Sequence, residues 1–276
     1  MARNLGDVVA RGSRSAVRAF GRGAVIKVPD SGTPVEWILA EAEHVEAVRA
    51  AGAPAPRLLG IEQIGGRAAT VWERVDGTSI WQRVVDRPDL SGQMGRLLAD
   101  VQLGLFDLVP PLTLPAQRDR LESKIRRAAA LVDRSLARAL DLVPPRVGPL
   151  RLCHGDMHPS NVILASDGPM VVDWFDACRG EPVADIARSS LLLGDGTRTP
   201  PHLPGADPTT LGVLTQAYLS RLRERLELSD DQLALWQAIN AVARLAEGLS
   251  PAPLLEVWNR FVPEGIPAPT GQATAS

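Results

Sequence analysis

The sequence predicts an α+β protein with two lobes: a small, β-rich N-terminal lobe that contains one helix, and a larger, mainly helical C-terminal lobe. The first thirty residues contain short strand-like segments separated by glycine turns. A well-delimited helix follows, and from Leu90 onward the pattern is mainly helical. A chain of 276 residues is long for one hydrophobic core and short for three, which favours two lobes.

The composition is that of an ordinary globular protein, with 45% hydrophobic and 22% charged residues. A formal net charge of −2 argues against a nucleic-acid-binding protein, which usually has a basic excess. No apolar run approaches the roughly 20 residues of a membrane span, and the N-terminus lacks the apolar segment of a secretory signal. Cys153 and Cys178 show neither metal-ligand spacing nor a disulfide framework. We therefore expect a cytoplasmic protein with no nucleic-acid or membrane partner.

Five short segments of the N-terminal lobe have strand character. A turn that contains Gly12, Ser13 and Ser15 joins the first two segments, and a Gly65-Gly66 turn joins the last two. The first three segments are expected to form a β-meander. The predicted strands are Asp7–Ala10, Ala16–Phe20, Ala24–Val28, Leu58–Ile61 and Ala68–Trp72.

One helix is predicted between the third and fourth strands. Thr33 suits the N-cap, Pro34 suits the first helical position, and Glu36 completes a capping box. The helix is expected to end near Gly52, which two prolines follow.

The apolar stripe of this helix contains a carboxylate. Ile38, Val45 and Val48 recur at helical spacing, and Glu41 lies among them. A carboxylate that faces a core is costly unless it is paired or hydrogen-bonded. The nearest plausible partner is Lys27, one of only two lysines among thirty basic residues. Lys27 on its own would be read as a surface residue, but an inward-facing Glu41 favours an ion pair between them.

The connector Glu73–Gly77 marks the predicted lobe boundary, with an N-terminal lobe over residues 1–75 and a C-terminal lobe over 76–262. Residues 263–276 are small, polar and proline-containing, so we expect a disordered tail. In the C-terminal lobe, Ser91 is the expected cap of a helix that Pro110-Pro111 ends. A second amphipathic stretch is predicted over residues 116–142.

The densest polar cluster is HGDMHPSN at residues 154–161. A strand, a hairpin turn over 166–168 and a returning strand follow, and the hairpin closes at Asp173. Because a short hairpin brings its two ends together, we expect Asn161 and Asp173 to converge near Asp156. An amide oxygen and carboxylates are hard ligands that suit Mg²⁺. Asp and Asn also favour plain turns, but two of the four histidines lie in the same eight residues, which favours a functional loop.

The D-x-x-x-x-N spacing from Asp156 to Asn161 is that of the protein-kinase catalytic loop. With H-G-D in place of H-R-D, and D-W after the hairpin, the sequence resembles the aminoglycoside phosphotransferase and choline kinase family over roughly residues 5–250. The resemblance extends to a strand lysine, a helix glutamate, G-x-P-x-P at residues 52–56, and G-x-P-x-x-D at residues 180–185. One departure is Val101-Gln102, where an L-H pair is common in the family.

This resemblance implies a bilobal, protein-kinase-like fold that binds Mg²⁺ and ATP or GTP in the cleft between the lobes. It also implies a role for each matching residue. Asp156 would be the catalytic base and Asn161 and Asp173 the metal ligands; Lys27, Glu41, Gly12, Ser13, Ser15 and Glu73 would bind the nucleotide; His154, His158 and Asp185 would support the loop.

The expected function is transfer of the γ-phosphate to a hydroxyl of an antibiotic or a related metabolite, with antibiotic resistance as one expected role. Residues 107–150 contain eight basic and five acidic side chains, whereas a polycationic aminoglycoside usually meets an acidic surface. A sugar, an amino alcohol or a nucleoside-type acceptor therefore stays open, as does a monomeric or homodimeric state. Two rivals are a metal-dependent hydrolase, because His154, Asp156 and His158 resemble a ligand cluster, and a catalytically silent binder.

Overall fold

The computed structural model of the protein describes residues 5–12, 14–146, 148–194 and 200–261. Within them, an antiparallel sheet dominates the N-terminal part and helices dominate the C-terminal part, which confirms the predicted α+β class. Two expectations fall outside the described residues: the nucleotide-binding role of Ser13 and the disordered tail over 263–276.

The N-terminal sheet has five antiparallel strands in the order β1-β2-β3-β5-β4. They match the five predicted segments, each longer by one to three residues. The strands are β1 (Leu5–Arg11), β2 (Ser15–Phe20), β3 (Ala24–Pro29), β4 (Leu58–Ile64) and β5 (Arg67–Glu73). Strand β3 lies at the centre, where Lys27 is opposite Val17 on one side and Thr70 on the other.

Alternation along β3 places Lys27 on the face of the sheet opposite the small core. Ile26 is fully buried in a small core on the opposite face, together with Phe20 and Val71. Because successive side chains of a strand point to opposite faces, Lys27 faces the cleft described below, which it lines.

The single helix of this region, α1 (Val35–Ala50), buries Glu41 together with the apolar residues of its stripe, as predicted. The predicted capping box is wrong. Pro34 is the N-cap in an extended conformation (φ −60°, ψ 138°), and no side chain caps the helix. The extended proline moves the helix start one residue along, so Thr33 lies too far from the first free amides. The expected end is confirmed, since Gly52 adopts a left-handed conformation (φ 93°) just after the helix.

Seven helices form most of the described C-terminal residues. Helix α3 lies against α6, α5 against α7, and α7 against α8. The contact between α3 and α6 requires Gly95, because a Cβ there would lie 2.2 Å from the Leu214 carbonyl oxygen. The helices are α2 (Ile80–Asp86), α3 (Ser91–Phe106), α4 (Gln117–Leu131), α5 (Pro182–Leu193), α6 (Pro208–Arg223), α7 (Asp230–Arg244) and α8 (Pro251–Phe261).

Two helix boundaries differ from the prediction. Ser91 does not cap α3, because the helix continues from a 3₁₀ turn at Pro88–Leu90 and the Ser91 hydroxyl donates to the Pro88 carbonyl. The stretch predicted over 116–142 is divided: after α4, Asp133 accepts from the backbone N–H of Ser135 at 2.7 Å and starts a separate 3₁₀ segment.

Two small sheets connect the segment that carries the HGD loop to the rest of the chain. In one, the strand that follows the predicted connector pairs with the hairpin after the HGD loop, in the order β6-β8-β9. In the other, β7 pairs with β10 on either side of the loop. The strands are β6 (Gly77–Ser79), β7 (Arg151–Cys153), β8 (Val162–Ala165), β9 (Gly168–Val171) and β10 (Cys178–Gly180). Among the described residues, no helix combines the length and apolar character that crossing a membrane needs.

Candidate active site

Most of the predicted site residues line one cleft of about 2380 Å³. His154 and Asp185 do not line it and lie buried behind the loop. The cleft also reaches side chains of α4 and α5, among them Lys124 and Arg188, for which the motif gave no signal. The cleft-lining residues from the predicted set are Gly12, Ser15, Lys27, Glu41, Glu73, Asp156, His158, Asn161 and Asp173.

Lys27 joins the sheet to α1 and to the hairpin. Its Nζ lies 2.7 Å from Glu41 Oε1 and 2.9 Å from Asp173 Oδ1. The ion pair expected between Lys27 and Glu41 is therefore confirmed. Burial disfavours the ammonium, but the carboxylates of Asp173 and Glu41 outweigh burial and raise the pKa of Lys27. The same ammonium lowers the pKa of Asp173, so both groups are charged at neutral pH.

Asp173 has a constrained backbone. Its φ is 65°, and no other non-glycine residue in the described part of the chain has a positive φ. This region is costly for a residue with a Cβ and is common at functional sites. The following residues form a 3₁₀ turn held by Trp174, whose Nε1 donates to the Val171 carbonyl at 2.9 Å. The turn thus holds the Asp173 carboxylate against Lys27.

The hairpin of β8 and β9 brings Asn161 beside Asp173. The backbone N–H of Val172 donates to the Asn161 carbonyl at 2.9 Å, which confirms the predicted convergence. The Asn161 side-chain Nδ2 donates to the Asp156 carbonyl, also at 2.9 Å, and leaves the amide oxygen unused by this contact. One amide oxygen and one carboxylate facing a cleft fit Mg²⁺, which takes few protein ligands alongside phosphate oxygens.

The loop that carries Asp156 requires a glycine before it. Gly155 has a φ of 76°, and a Cβ there would lie 2.2 Å from the Asp176 carbonyl oxygen. H-G-D therefore replaces H-R-D because the backbone of the loop packs directly on the 3₁₀ turn after Asp173. The Asp156 carboxylate itself is a quarter exposed to the cleft.

His154 and Asp185 contact the loop from behind. His154 Nδ1 accepts from the Asp156 N–H at 3.2 Å, so its Nε2 carries the proton and donates to the Val172 carbonyl at 3.1 Å. Asp185 Oδ1 accepts from the Gly155 N–H at 2.8 Å, and its Oδ2 accepts from Gln102 Nε2 at 2.8 Å. Gln102 thus supplies a buried donor where the family commonly has histidine. Burial raises the pKa of Asp185.

His158 shapes the cleft side of the loop. Its Nδ1 accepts from the Ser160 N–H at 3.3 Å, and its Nε2 lies 3.8 Å from Asp156 Oδ2. Its ring packs edge-on against His202, with centroids 5.1 Å apart. Burial lowers the pKa of His158, so the imidazole is neutral at pH 7.

A sequence model of the phosphotransferase enzyme family (APH) matches residues 9–201, more than half of the chain. The chain belongs to this family. The recognised resemblance and the prediction of a phosphotransferase are thereby confirmed. Among curated proteins, no match to the sequence is found.

Solved structures similar to this phosphotransferase share its fold at low identity. Aminoglycoside-3′-phosphotransferase of type VIII is 20% identical with a TM-score of 0.63, covering 89% of this chain and 94% of its own. A thermostable mutant of APH(4)-Ia, in a ternary complex with ADP and hygromycin B, is 17% identical with a TM-score of 0.62, covering 98% and 96%. The GDP and kanamycin complex of APH(2″)-IIIa is 17% identical with a TM-score of 0.59, covering 96% and 95%.

The phosphotransferase also has a group of charged side chains beside Asp156 that sequence reasoning missed. We call it the ion-pair cluster. Asp176 and Glu247 are its two carboxylates, and each contacts more than one cation. Lys124 Nζ lies 3.2 Å from Asp176 Oδ1 and 3.1 Å from Glu247 Oε1. The cluster consists of Arg120, Lys124, Asp176, Arg188, Arg244 and Glu247.

The sequence signals for this cluster were the basic excess over residues 107–150, which includes Arg120 and Lys124, and an arginine, Arg188, within α5. The contacts of the cluster could not be read from the sequence, because its members come from four separate segments of the chain. The cations lower the pKa of both carboxylates despite their burial, and that of Glu247 falls to about 2.

His44 is a further residue that the sequence did not single out. Its Nδ1 lies 3.3 Å from the Trp174 carbonyl and 3.2 Å from the Phe175 carbonyl, so it carries the proton and donates to both. Burial lowers the pKa of His44. Together with Lys27, which bridges Glu41 of α1 and Asp173, this contact links α1 to the segment after the hairpin.

Gly12, Ser15 and Glu73, which were predicted to bind the nucleotide, lie in different parts of the sheet and its turns. Gly12 N–H donates to the Ser15 carbonyl at 2.9 Å and closes the turn between β1 and β2. The Glu73 carboxylate accepts from the Arg57 N–H at 2.8 Å and lies 3.8 Å from Arg49 Nη1. These contacts fix the carboxylate. The Glu73 side chain is still one-third exposed and lines the cleft.

Proposed function

We propose that this phosphotransferase transfers the γ-phosphate of ATP or GTP to a hydroxyl of a small molecule, an antibiotic or a related hydroxylated metabolite. One observation carries the proposal: Lys27, paired with Glu41 and Asp173, faces the same cleft as Asp156 and Asn161. A cation for the phosphates, two metal ligands and a carboxylate for the acceptor are the parts that phosphoryl transfer needs. The complexes of similar proteins with ADP and GDP support a nucleotide donor.

On the donor side, Lys27 would contact the α- and β-phosphates, and Glu41 would hold its ammonium in place. The turn formed by Gly12 and Ser15 would lie over the phosphates, where backbone N–H groups bind anions. Asn161 and Asp173 would hold Mg²⁺ through their oxygens. Bound there, Mg²⁺ would neutralise charge on the phosphates and orient them.

On the acceptor side, Asp156 would orient the hydroxyl and accept its proton. The oxygen of the hydroxyl forms a bond to the γ-phosphorus while the bond to the β,γ-bridging oxygen breaks, and the nucleoside diphosphate leaves. Such a transfer depends on positioning and charge stabilisation and forms no covalent enzyme intermediate. The braced loop around Asp156 meets that requirement, because its backbone is fixed by His154 and Asp185.

A metal-dependent hydrolase fits the same residues less well. Both ring nitrogens of His154 are used, one by the Asp156 N–H and the other by the Val172 carbonyl. Within the described ranges, no three His, Cys, Asp or Glu side chains are grouped as metal ligands. A silent binder is also disfavoured, because Lys27, Glu41, Asp156, Asn161 and Asp173 are all present.

The charges of the ion-pair cluster, which lies beside Asp156 in the cleft, favour an acceptor with few positive charges. The ion-pair cluster contributes four cations and two carboxylates to the cleft. Both carboxylates, Asp176 and Glu247, are already paired within the chain. A polycationic aminoglycoside would have to displace those pairs, so a sugar, a nucleoside-type compound or another weakly charged hydroxylated compound is the better candidate.

The test is a mass-shift screen of hydroxylated antibiotics and metabolites with Mg²⁺ and either ATP or GTP. The panel includes kanamycin and hygromycin B as polycationic compounds beside uncharged and acidic ones. We expect the mass increase of one phosphate on an acceptor with wild-type protein and none with Asp156→Asn. Absence of Mg²⁺-dependent nucleotide binding in a thermal-shift assay would contradict the proposal.

A further inference from the structure

We propose that Arg188 is a positioning residue for Asp156, which aims one oxygen of the carboxylate at the acceptor. This inference rests on the proposed function of Asp156. Arg188 lies on α5, whereas Asp156 lies in the loop after β7, 32 positions earlier in the sequence.

The guanidinium of Arg188 binds the loop at two points. Its Nη2 lies 3.0 Å from Asp156 Oδ1, and its Nε donates to the carbonyl of Gly155. One side chain thus holds both the carboxylate and the peptide group that precedes it. Only a planar group with several fixed donors can do this, so a lysine ammonium would not replace it fully.

The remaining donors lock the guanidinium itself. Nη1 lies 2.7 Å from Glu247 Oε1, and Nη2 also lies 3.3 Å from Asp176 Oδ2. Glu247 is in turn held by Lys124 at 3.1 Å and by Arg244 at 3.3 Å. All three nitrogens of Arg188 are therefore engaged, and its side chain is only 10% exposed. Its orientation is fixed before any ligand binds, which is what a positioning group requires.

Because Arg188 binds only one oxygen of the Asp156 carboxylate, the two oxygens have different surroundings. Oδ1 is taken by Arg188, whereas Oδ2 lies 3.8 Å from the neutral imidazole of His158 and is not bonded to it. The carboxylate lines the cleft, so Oδ2 is the oxygen available to an acceptor hydroxyl. Without Arg188, the carboxylate would be free to rotate and would present either oxygen in variable directions.

If Arg188 only formed a structural ion pair, replacing it should have the same effect as replacing another buried arginine of the cluster. Arg244 is the matched control for this comparison. The Arg244 side chain is as buried as that of Arg188 (9% and 10% exposed) and pairs with the same Glu247. Its ion pair in the cluster is to Glu247, whereas Arg188 also binds Asp156. Replacing either arginine removes a buried cation, but only the Arg188 change releases Asp156.

The experiment compares Arg188→Lys, Arg188→Met and Arg244→Met in two measurements. The first is the rate of Mg²⁺-ATP hydrolysis, with water in place of the acceptor, alongside the dissociation constant for Mg²⁺-ATP. We expect Arg188→Met to lower the hydrolysis rate about 10²-fold with unchanged nucleotide affinity. Arg188→Lys should recover part of the rate, and Arg244→Met should show a much smaller loss. Equal losses for the two methionine variants, or a loss that follows nucleotide affinity, would overturn the inference.

The second measurement is amide hydrogen exchange at residues 155–157, which needs no turnover. We expect faster exchange in both Arg188 variants than in Arg244→Met, because Arg188 holds the Gly155 carbonyl. Equal exchange in all variants would overturn the inference. If wild-type protein neither binds nor hydrolyses ATP, the proposed function fails, whereas the exchange data still decide whether Arg188 fixes the loop. Arg188→Lys keeps the charge and serves as the folded variant should Arg188→Met not fold.

Discussion

Lys27 and Asp173 form an ion pair of 2.9 Å although they are 146 positions apart in the sequence. Lys27 comes from the central strand of the N-terminal sheet, and Asp173 follows the hairpin of the C-terminal part. The pair links the residue proposed to contact phosphates with a residue proposed to bind the metal. Nucleotide and metal binding are therefore expected to depend on each other at this point.

Asp173→Asn should abolish the Mg²⁺ dependence of nucleotide binding. The amide keeps the size of the side chain but removes the negative charge that Mg²⁺ and Lys27 both require. Isothermal titration of ATP with and without Mg²⁺ measures the effect. Asp167→Asn, at the exposed turn between β8 and β9, is the matched control and should bind like wild type. An unchanged Mg²⁺ dependence in Asp173→Asn would count against the metal role.

Asp156→Ala should lower turnover by about 10²–10⁴-fold, the usual contribution of a general base. Nucleotide affinity should be largely kept, because Asp156 is proposed to act on the acceptor. The measurement is steady-state phosphorylation of an identified acceptor, or ATP hydrolysis before one is known. Asp119→Asn removes an exposed carboxylate from the same cleft and should keep its activity. Wild-type turnover in Asp156→Ala would refute the assignment.

Several of these residues could be predicted because the sequence shows a local reason for each. An inward-facing Glu41 required a cation, and the hairpin geometry required Asn161 and Asp173 to meet. The failures have equally specific causes. The capping box at Thr33 was wrong because Pro34 stays extended and delays the helix.

Arg188 was missed for a different reason. Its partners belong to the HGD loop, the turn after Asp173 and the segment after α7, which only the folded chain brings together. No spacing rule along the sequence connects residues that are distant in this way. Arg188 itself is followed by two serines in α5, so the local sequence gave no clear indication that its side chain is buried and needs partners.

Gly155→Ala should destabilise the protein and impair turnover together. The new Cβ would lie 2.2 Å from the Asp176 carbonyl oxygen, and the left-handed backbone (φ 76°) adds a strain of about 1–3 kcal/mol. Relief of the clash would move the loop and, with it, Asp156. Urea unfolding and ATP turnover measure the two effects. Gly104→Ala, on the exposed face of α3 with nothing within 4 Å of the new Cβ, should instead raise stability by up to about 1 kcal/mol.

The ion-pair cluster should make the protein sensitive to acid through Glu247. Burial alone would raise the pKa of Glu247, but Arg188, Lys124 and Arg244 together lower it to about 2 from a usual value of 4.5. A carboxylate whose pKa is lower in the folded state stabilises that state at a pH above its unfolded pKa. This stabilisation, up to about 3 kcal/mol, should be lost as the pH falls from about 4.5 towards 2.

Urea unfolding of wild type and Glu247→Gln between pH 7 and pH 3 measures this contribution. At pH 7 the variant should be less stable, because Arg188, Lys124 and Arg244 lose a charged partner. The difference between the two proteins should narrow steadily below about pH 4.5, because Glu247 of the unfolded wild-type chain then takes up a proton whereas the folded chain keeps the carboxylate ionised down to about pH 2. Glu36→Gln, on the exposed side of α1, is the control: it shows how much stability changes when a carboxylate outside the cluster is lost. A difference between wild type and Glu247→Gln that stays constant down to pH 3 would show that the cluster does not lower the pKa of Glu247.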